Sequence, residues 1–402
     1  MSLYVHEKCT ALAGCGPEAR FLLEAVSRQV QIGACNRRQA LRPKILSKQF
    51  RLAEQPVKRA LRELEAAGAL VFDEGVPGRR GRPPILFRIS PATLAEIQGR
   101  QQVCHVHAPI VARLFSPEDI MTAALELEEG GAKEDASPRD TTLSACNRFL
   151  LATLLMHADQ FGVVTISKGK LKQLTGFSDA RLRYRLDGLV GSRLIVAHIP
   201  GISSSIFPKS KASSTYFLDL AVLGAGIPGE EFLPEQKLGH PGAQCPSRDQ
   251  ILGLDLGKKE ARPVRLKAFL SGQRDAVFDV LRFRFLRYAS YVLSRYGVNP
   301  TITPTIEDAQ LRETISADFQ VPERWRNGQE VHDLEWEEII SHFYRLAFTV
   351  ARTFAQRSDL PLWVDGTFEE MCIVPSDGRV QLFFMLYRVD ALGASQAADS
   401  AP

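Results

Sequence analysis

Lys44–Ile89 reads KILSKQFRLAEQPVKRALRELEAAGALVFDEGVPGRRGRPPILFRI. Ile45, Leu46 and Phe50 mark a short helix, and Leu52 follows in a tight turn. A second helix is expected from about Glu54 to Ala67, where Val57, Leu61 and Leu64 fall on one face at helical spacing. Gly68 stands where a helix C-terminus needs a residue that tolerates positive φ. An apolar strand (Leu70, Val71, Phe72), a Gly- and Pro-rich turn and a second strand, Ile85–Ile89, complete the stretch. The order is helix, turn, helix, two-stranded hairpin.

The helix face opposite Val57, Leu61 and Leu64 carries Gln55, Lys58, Arg59 and Arg62. A helix that reads DNA needs this division: an apolar side fixes its pose, and cationic or bidentate side chains meet base edges and phosphates. The hairpin tip, Gly78-Arg79-Arg80-Gly81-Arg82-Pro83-Pro84, crowds Arg79, Arg80 and Arg82 onto a narrow, stiff backbone. Such arginines suit a narrow A·T-rich minor groove, where the negative potential is deepest. A solvated basic turn over an ordinary helical hairpin is the plainer reading. It leaves the coincidence of core spacing, C-terminal glycine and basic tip unexplained.

The run LSKQFRLAEQPVKRALRELEAAGALV resembles the helix-turn-helix of bacterial winged-helix transcription regulators. The tip GRRGRPPILFRI resembles the Arg-Gly-Arg-Pro wings common among them, and an AT-hook core. The resemblance covers roughly 70 residues, is specific to the fold and not to any operator or ligand, and implies a winged helix-turn-helix with double-stranded DNA as partner and no cofactor. It departs from the pattern at Pro56, where such helices usually carry a small polar residue. Proline is tolerated in a first helical turn, so the helix stands and one possible base contact is lost.

A second copy of the template lies 125 residues further on. Leu182, Leu186 and Leu189 repeat Val57, Leu61 and Leu64; Phe177 matches Leu52, Leu171 matches Leu46, and Ile195-Val196 matches Leu70-Val71. A helix with Phe149, Leu150, Leu154 and Leu155 precedes it, then a strand, Val163–Ile166. Ser167 and Ser178 are expected N-caps of the next two helices, with Asp179 in the first turn of the second. The outward face is expected to carry Ala180, Arg181, Arg183 and Tyr184, suited to guanine, phosphate or a thymine methyl. Its hairpin, Leu194–Ile199 and Ser214–Leu218, has a long tip with Lys209 and Lys211, expected to touch the DNA backbone.

Charge follows the same division. The chain has 402 residues and a formal net charge of only +4. Arg20–Ile89 holds 15 Lys/Arg against 6 Asp/Glu, and Ala145–Leu220 holds 10 against 4. Ser90–Ser144 gives 4 against 9 and Ala221–Pro402 gives 20 against 25, so two polyanion-binding modules alternate with acidic stretches. Seven irregularly spaced cysteines argue for a reducing compartment. No apolar run reaches the roughly 18 residues of a membrane span, and MSLYVHEKCTALAGCGPEAR lacks the pattern of a secretion signal. A cytoplasmic, nucleoid-associated protein is expected.

The expected organisation is a loose lead-in over 1–16, then a first winged helix-turn-helix over 17–102 beginning with a helix of Phe21, Leu22, Ala25 and Val26. An acidic linker follows over 103–142, a second winged helix-turn-helix over 143–222, a linker over 223–262 and a C-terminal α+β domain over 263–392. The fold class is thus mainly α with small β-hairpins. In the last domain Val277, Phe278, Leu281, Phe285, Tyr288 and Val292 predict a long helix, with Arg282, Arg284, Arg287 and Arg295 on a solvated face. Residues 299–329 read as irregular; a helix from about Leu334 to Gln356 and strands at Leu362–Val364, Glu369–Val374 and Val380–Val389 follow. Dimerisation or effector binding suits this domain.

Four further motifs point elsewhere, and each lacks a part its chemistry needs. Cys104-His105-Val106-His107 lacks a second pair to complete a zinc set, and His240 and Cys245 do not supply it. Gly224, Gly226 and Gly229 spell G-x-G-x-x-G, but Pro228 and Pro234 stand where a phosphate-binding helix must begin. His342-Phe343-Tyr344-Arg345 with Tyr387 resembles part of a tyrosine recombinase site; the flanking motifs are missing. The Arg–aromatic pattern over 282–295 can grip nucleic acid, but its helical spacing favours a core face. The expected function is therefore a non-enzymatic, sequence-specific transcription regulator acting as a homo-oligomer on double-stranded DNA, without metal or cofactor. Alternatives are a plasmid- or phage-type replication initiator and, further off, an architectural DNA-binding protein.

Overall fold

A computed structural model describes residues 3–31, 41–74, 85–99, 105–116, 143–220, 222–223, 236–238, 246–253, 265–297, 301–304, 307–322, 333–356, 368–375 and 381–387. The chain is mainly helical with a few small antiparallel sheets. It divides into two compact units, one of residues 1–195 and 218–225 and one of residues 196–217 and 226–402. Among the described residues no helix is long and apolar enough to cross a membrane.

In the first unit, α1 (Tyr4–Glu7) leads to α2 (Pro17–Gln31), which proline starts and whose Phe21, Leu22, Leu23, Ala25 and Val26 are buried. Helix α3 (Pro43–Phe50) ends at Arg51 in the left-handed region, φ 52°. That turn swings the chain into α4 (Glu54–Ala66), which buries Val57, Ala60, Leu61 and Leu64. Gly68 takes φ +73°, and the Gly68 and Ala69 amides close the helix end onto Glu65 and Leu64 carbonyls. The chain enters β1 (Leu70–Glu74), antiparallel to β2 (Ile85–Ile89) in a register from Leu70↔Ile89 to Glu74↔Ile85. Leu41 exchanges two backbone hydrogen bonds with Phe87 and extends the hairpin. Helices α5 (Pro91–Gly99) and α6 (Ala108–Phe115) pack on α2.

The second half of this unit repeats the order. Helix α7 (Ala145–Leu155) is capped by Ser144, then come β3 (Val163–Ile166), α8 (Lys168–Thr175) capped by Ser167, and α9 (Asp179–Gly191) capped by Ser178. Each serine Oγ accepts a backbone N–H three residues on; Ser167 and Ser178 are the caps the sequence predicts, and Ser144 is a third. Leu182 and Leu189 are buried; Leu186 is half-buried. Strands β4 (Ile195–Ile199) and β7 (Ser214–Leu218) follow, with a short ladder of β5 (Ile202–Ser203) and β6 (Lys211–Ala212) at the hairpin tip; the sheet order is β3-β7-β4.

The second unit is built on α12 (Asp275–Tyr296) and α14 (Asp333–Ala355), with β8 (Gln236–Leu238), β9 (Phe368–Pro375) and β10 (Gln381–Tyr387) ordered β8-β10-β9. Ser290 and Ser294 of α12 accept the Ile373 and Met371 amides of edge strand β9. That covers an edge otherwise open to pairing. Smaller helices α10 (Arg248–Ile251), α11 (Leu266–Leu270) and α13 (Ala309–Asp318) close the core.

Four expectations change. The lead-in is packed: Leu3, Tyr4, Val5, Leu12 and Cys15 are buried, and Tyr4 Oη donates to Glu96 at 2.7 Å. Helix α6 lies inside the stretch read as a linker over 103–142, because Ile110, Val111, Leu114 and Phe115 make an apolar stripe that the acidic residues after it mask. Strand β8 and helix α10, with Ile251 fully buried, lie inside the stretch read as a linker over 223–262. Helix α13 occupies part of the stretch read as irregular, capped by Asp308. The strand expected at 362–364 and the turn at 376–378 lie outside the described residues.

Candidate nucleic-acid interface

Helix α4 presents Gln55, Arg59 and Arg62 exposed and Lys58 half-buried on the face away from its core. Glu54 accepts from Lys58 at 2.6 Å, and that hydrogen bond, with the Lys58 charge, holds the Glu54 carboxyl below its usual range. Arg59 pairs loosely with Glu63 at 3.8 Å. Exposed pairs of this kind contribute little, so Lys58 and Arg59 can exchange them for phosphate at small cost. Arg79, Arg80 and Arg82 lie outside the described residues.

Helix α9 exposes Ala180, Arg183, Tyr184 and Asp187, one stripe at helical spacing, with Tyr184 at 70% exposure. These are the positions of Gln55, Lys58, Arg59 and Arg62 in the first copy, so an acid stands where the first helix has its last cation. Arg181 does not join them. One residue off the stripe, it turns toward α2 and donates to Glu18 Oε1 at 2.6 Å, with Cys146 Sγ at 3.8 Å and the Phe177 ring beneath it. Burial pushes the Glu18 carboxyl up, but the Arg181 hydrogen bond and charge more than offset it and leave it below its usual range. The expectation that Arg181 faces outward with Arg183 holds in part: Glu18 engages its guanidinium, while the side chain stays 42% exposed. At the start of α9, Lys172 and Lys168 hydrogen-bond Asp179 at 2.6 and 2.9 Å and pull its carboxyl down to about 2.

Lys209 and Lys211 are exposed, but their hairpin is not a free arm. Ile206 and Phe207 are fully buried in the core of the second unit. Phe207 lies against Phe319 with Arg284 over both rings, at 4.4 and 5.2 Å. The Gln320 backbone N–H donates to the Ile206 carbonyl at 2.9 Å. A tip rich in Ser, Pro and Lys signals exposure; only the Ile-Phe pair hints otherwise. Arg284, expected on a solvated face, is instead packed here and bonded to Asp318, whereas Arg282 and Arg295 pair with Asp279 and Asp308.

Two functional-looking arginines escaped the sequence reading. Arg20 is 2% exposed and donates to four carbonyls: Cys15 (3.1 Å), Leu12 (2.8 Å), Gln173 (2.6 Å) and Leu174 (2.9 Å). Arg148, in α7, donates to the Phe50 carbonyl at 2.9 Å and lies over the Phe21 ring at 5.0 Å. Burial, and then the nearby Arg51 charge, lower Arg148 to about 10, so it stays a cation at neutral pH. Neither arginine carries a sequence signal, since a lone cation on a helix reads as solvated.

Among the described residues no group of three His, Cys, Asp or Glu is placed to hold a metal. Cys104 lies outside them. His107 is 1% exposed; its Nε2 lies 2.7 Å from the Asp159 carbonyl, to which it donates, and its Nδ1 has no partner. His105 Nδ1 accepts the His107 amide at 3.2 Å. Burial holds both imidazoles below their usual range; the His107 charge adds to this for His105, and the Asp159 carbonyl opposes it for His107. A depressed folded pKa means that the neutral form is the one folding favours. The stability these residues contribute is therefore complete above the unfolded value of about 6.5 and is lost as pH falls below it toward the folded values. Urea unfolding followed by circular dichroism should show midpoints that drop between pH 7 and 5, and a His105→Asn/His107→Asn variant should flatten that drop; an unchanged slope would contradict the assignment.

His342 is buried within α14, its Nε2 3.3 Å from the Ile251 carbonyl, a core position and not a cleft. The side chain of Tyr387 lies outside the described residues. No protein-family model, no curated protein and no solved structure matches the chain.

Proposed function

We propose that this chain is a sequence-specific regulator of transcription that binds double-stranded DNA through two winged helix-turn-helix modules. In this reading it is a binding protein and not an enzyme, it acts on the nucleoid in the cytoplasm, and its C-terminal α+β unit serves self-association or sensing. The carrying observation is the repeat: two helix, left-handed turn, helix, hairpin units 125 residues apart, each with its apolar stripe inward and residues 55, 58, 59, 62 or 180, 183, 184, 187 outward. Nothing in core packing calls for Lys58, Arg62, Arg183 and Tyr184 on those faces. Base and phosphate contact does.

The test is selection of bound sequences from a random duplex pool by the whole chain at about 150 mM salt. Specific binding gives an enriched motif; a bound pool without enrichment, with affinity collapsing as salt rises, means non-specific architecture. On the selected duplex, Lys58→Ala and Arg183→Ala should each cost about 1–3 kcal/mol, and the cost should vanish on duplexes altered at the contacted base. A uniform loss on every sequence would reassign the residue to phosphate. The pairing of two such modules in one unit also suits a plasmid- or phage-type replication initiator. A selected motif that recurs in an origin and alters copy number, rather than lying at a promoter, would favour that second reading.

A further inference from the structure

Resting on the DNA-binding reading above, we infer that the two modules recognise one composite duplex site made of two unlike elements at a fixed spacing, contacted by a single chain. Twenty-seven residues, 116–142, separate α6 from the second module in sequence. At roughly 3.3–3.6 Å per extended residue, that length would let two tethered modules bind elements at many separations. The contacts around α2 remove this freedom.

Each module sends a buried arginine into the other at the same kind of place. Arg20 of α2 takes the Gln173 and Leu174 carbonyls at the end of α8. Arg148 of α7 takes the Phe50 carbonyl at the end of α3. Both sites are the last turn before the left-handed residue that redirects the chain into α4 or α9: Arg51 at φ 52° and Gly176 at φ +73°. The exchange runs both ways, as in a closed interface rather than a loose tether. Gly176 seals it, because a Cβ there would stand 2.7 Å from the Cys15 carbonyl.

A line of short contacts also joins the two outward-reading helices. Arg59 of α4 pairs with Glu63, whose Oε2 accepts the Gly16 amide at 2.8 Å, and two residues on Glu18 accepts from Arg181 of α9. These contacts tie both helices to the same short segment, Gly16–Glu18, so neither can shift along DNA without the other. The helices therefore address base pairs within one continuous site. The elements differ because the reading positions differ: Gln55, Lys58, Arg59 and Arg62 against Ala180, Arg183, Tyr184 and Asp187. Asp187 repels phosphate and accepts from a cytosine amino group, whereas Arg62 does the reverse.

The experiment varies the DNA and leaves the protein intact. From the duplex selected by the full chain, versions are made with 5 or 10 extra base pairs between the two enriched elements, and with either element scrambled. Binding is read by fluorescence anisotropy. Both insertions should weaken binding at least tenfold, to the level of the single-element duplexes, and the 10-base-pair insertion, which restores the helical face, should not recover it. Affinities within twofold of the parent for either insertion would overturn the fixed spacing while leaving DNA recognition intact. So would selection of a single uninterrupted element insensitive to changes at positions 183 and 184. Absence of any enriched motif would overturn the DNA-binding reading itself, and the composite site with it.

Discussion

Arg20→Met is expected to lower the stability of the first unit by about 3 kcal/mol, a shift of about 1–2 M in a urea midpoint. The methionine fills similar volume, and exchange of a buried ion for an apolar residue can be harmless when its partners are exchanged as well. Here the partners are backbone carbonyls of Leu12, Cys15, Gln173 and Leu174, which no side-chain substitution removes. An unsatisfied buried acceptor costs about 1–3 kcal/mol. Leu12 also accepts the Cys15 amide, so not every carbonyl is orphaned and the total stays well under the sum. Arg20→Lys should recover only part, since an ammonium cannot spread its donors across carbonyls on opposite sides of a planar fork.

Two probes separate this loss from a general one. All three tryptophans, Trp325, Trp336 and Trp363, belong to the second unit. Circular dichroism reports the helices of both units, and tryptophan fluorescence reports only the second. Arg20→Met should move part of the dichroism transition and leave the fluorescence transition in place. A fluorescence shift of equal size would mean that Arg20 supports the whole chain, and no shift by either probe would show that the four bonds are dispensable.

The two repeats were legible because several local rules agree on them. Apolar spacing, serine caps and glycine at positive φ each point to the same boundaries, and Ser167, Ser178 and Gly68 all perform in the structure as their chemistry requires. What stayed hidden is non-local. The burial of Arg20 depends on carbonyls more than 150 residues away, and periodicity within α2 cannot report that. Arg181 is read outward from its place in the repeat, opposite Pro56; its Glu18 partner lies 163 residues earlier, where no local pattern reports it. Helix α6 has eight residues, too short to stand out from the acidic run behind it. The lead-in has too few apolar residues for a pattern, yet Leu3, Val5 and Leu12 are buried once α2 gives them a surface.

The second hairpin is the sharpest case, and Phe207→Ala tests it. A wing that reaches for DNA should tolerate loss of an aromatic at its tip. Phe207 is instead fully buried, beside Phe319 and beneath the Arg284 guanidinium, and its neighbour Ile206 is buried with it. Truncation of such a phenylalanine costs about 3–5 kcal/mol. It also exposes Arg284, whose charge is now screened from water by two rings and held by Asp318. The fluorescence transition should fall by about 1–2 M urea, the reverse of the Arg20 pattern, while Lys209→Ala and Lys211→Ala at the same tip leave it unmoved. If Phe207→Ala shifts that midpoint by no more than a lysine variant does, residues 196–217 do not belong to the second core and the hairpin regains its standing as a wing. If the shift appears, the strands that leave α9 are structural members of the C-terminal unit. In the proposed reading, DNA contact by the second module then rests on Arg183, Tyr184 and their helix.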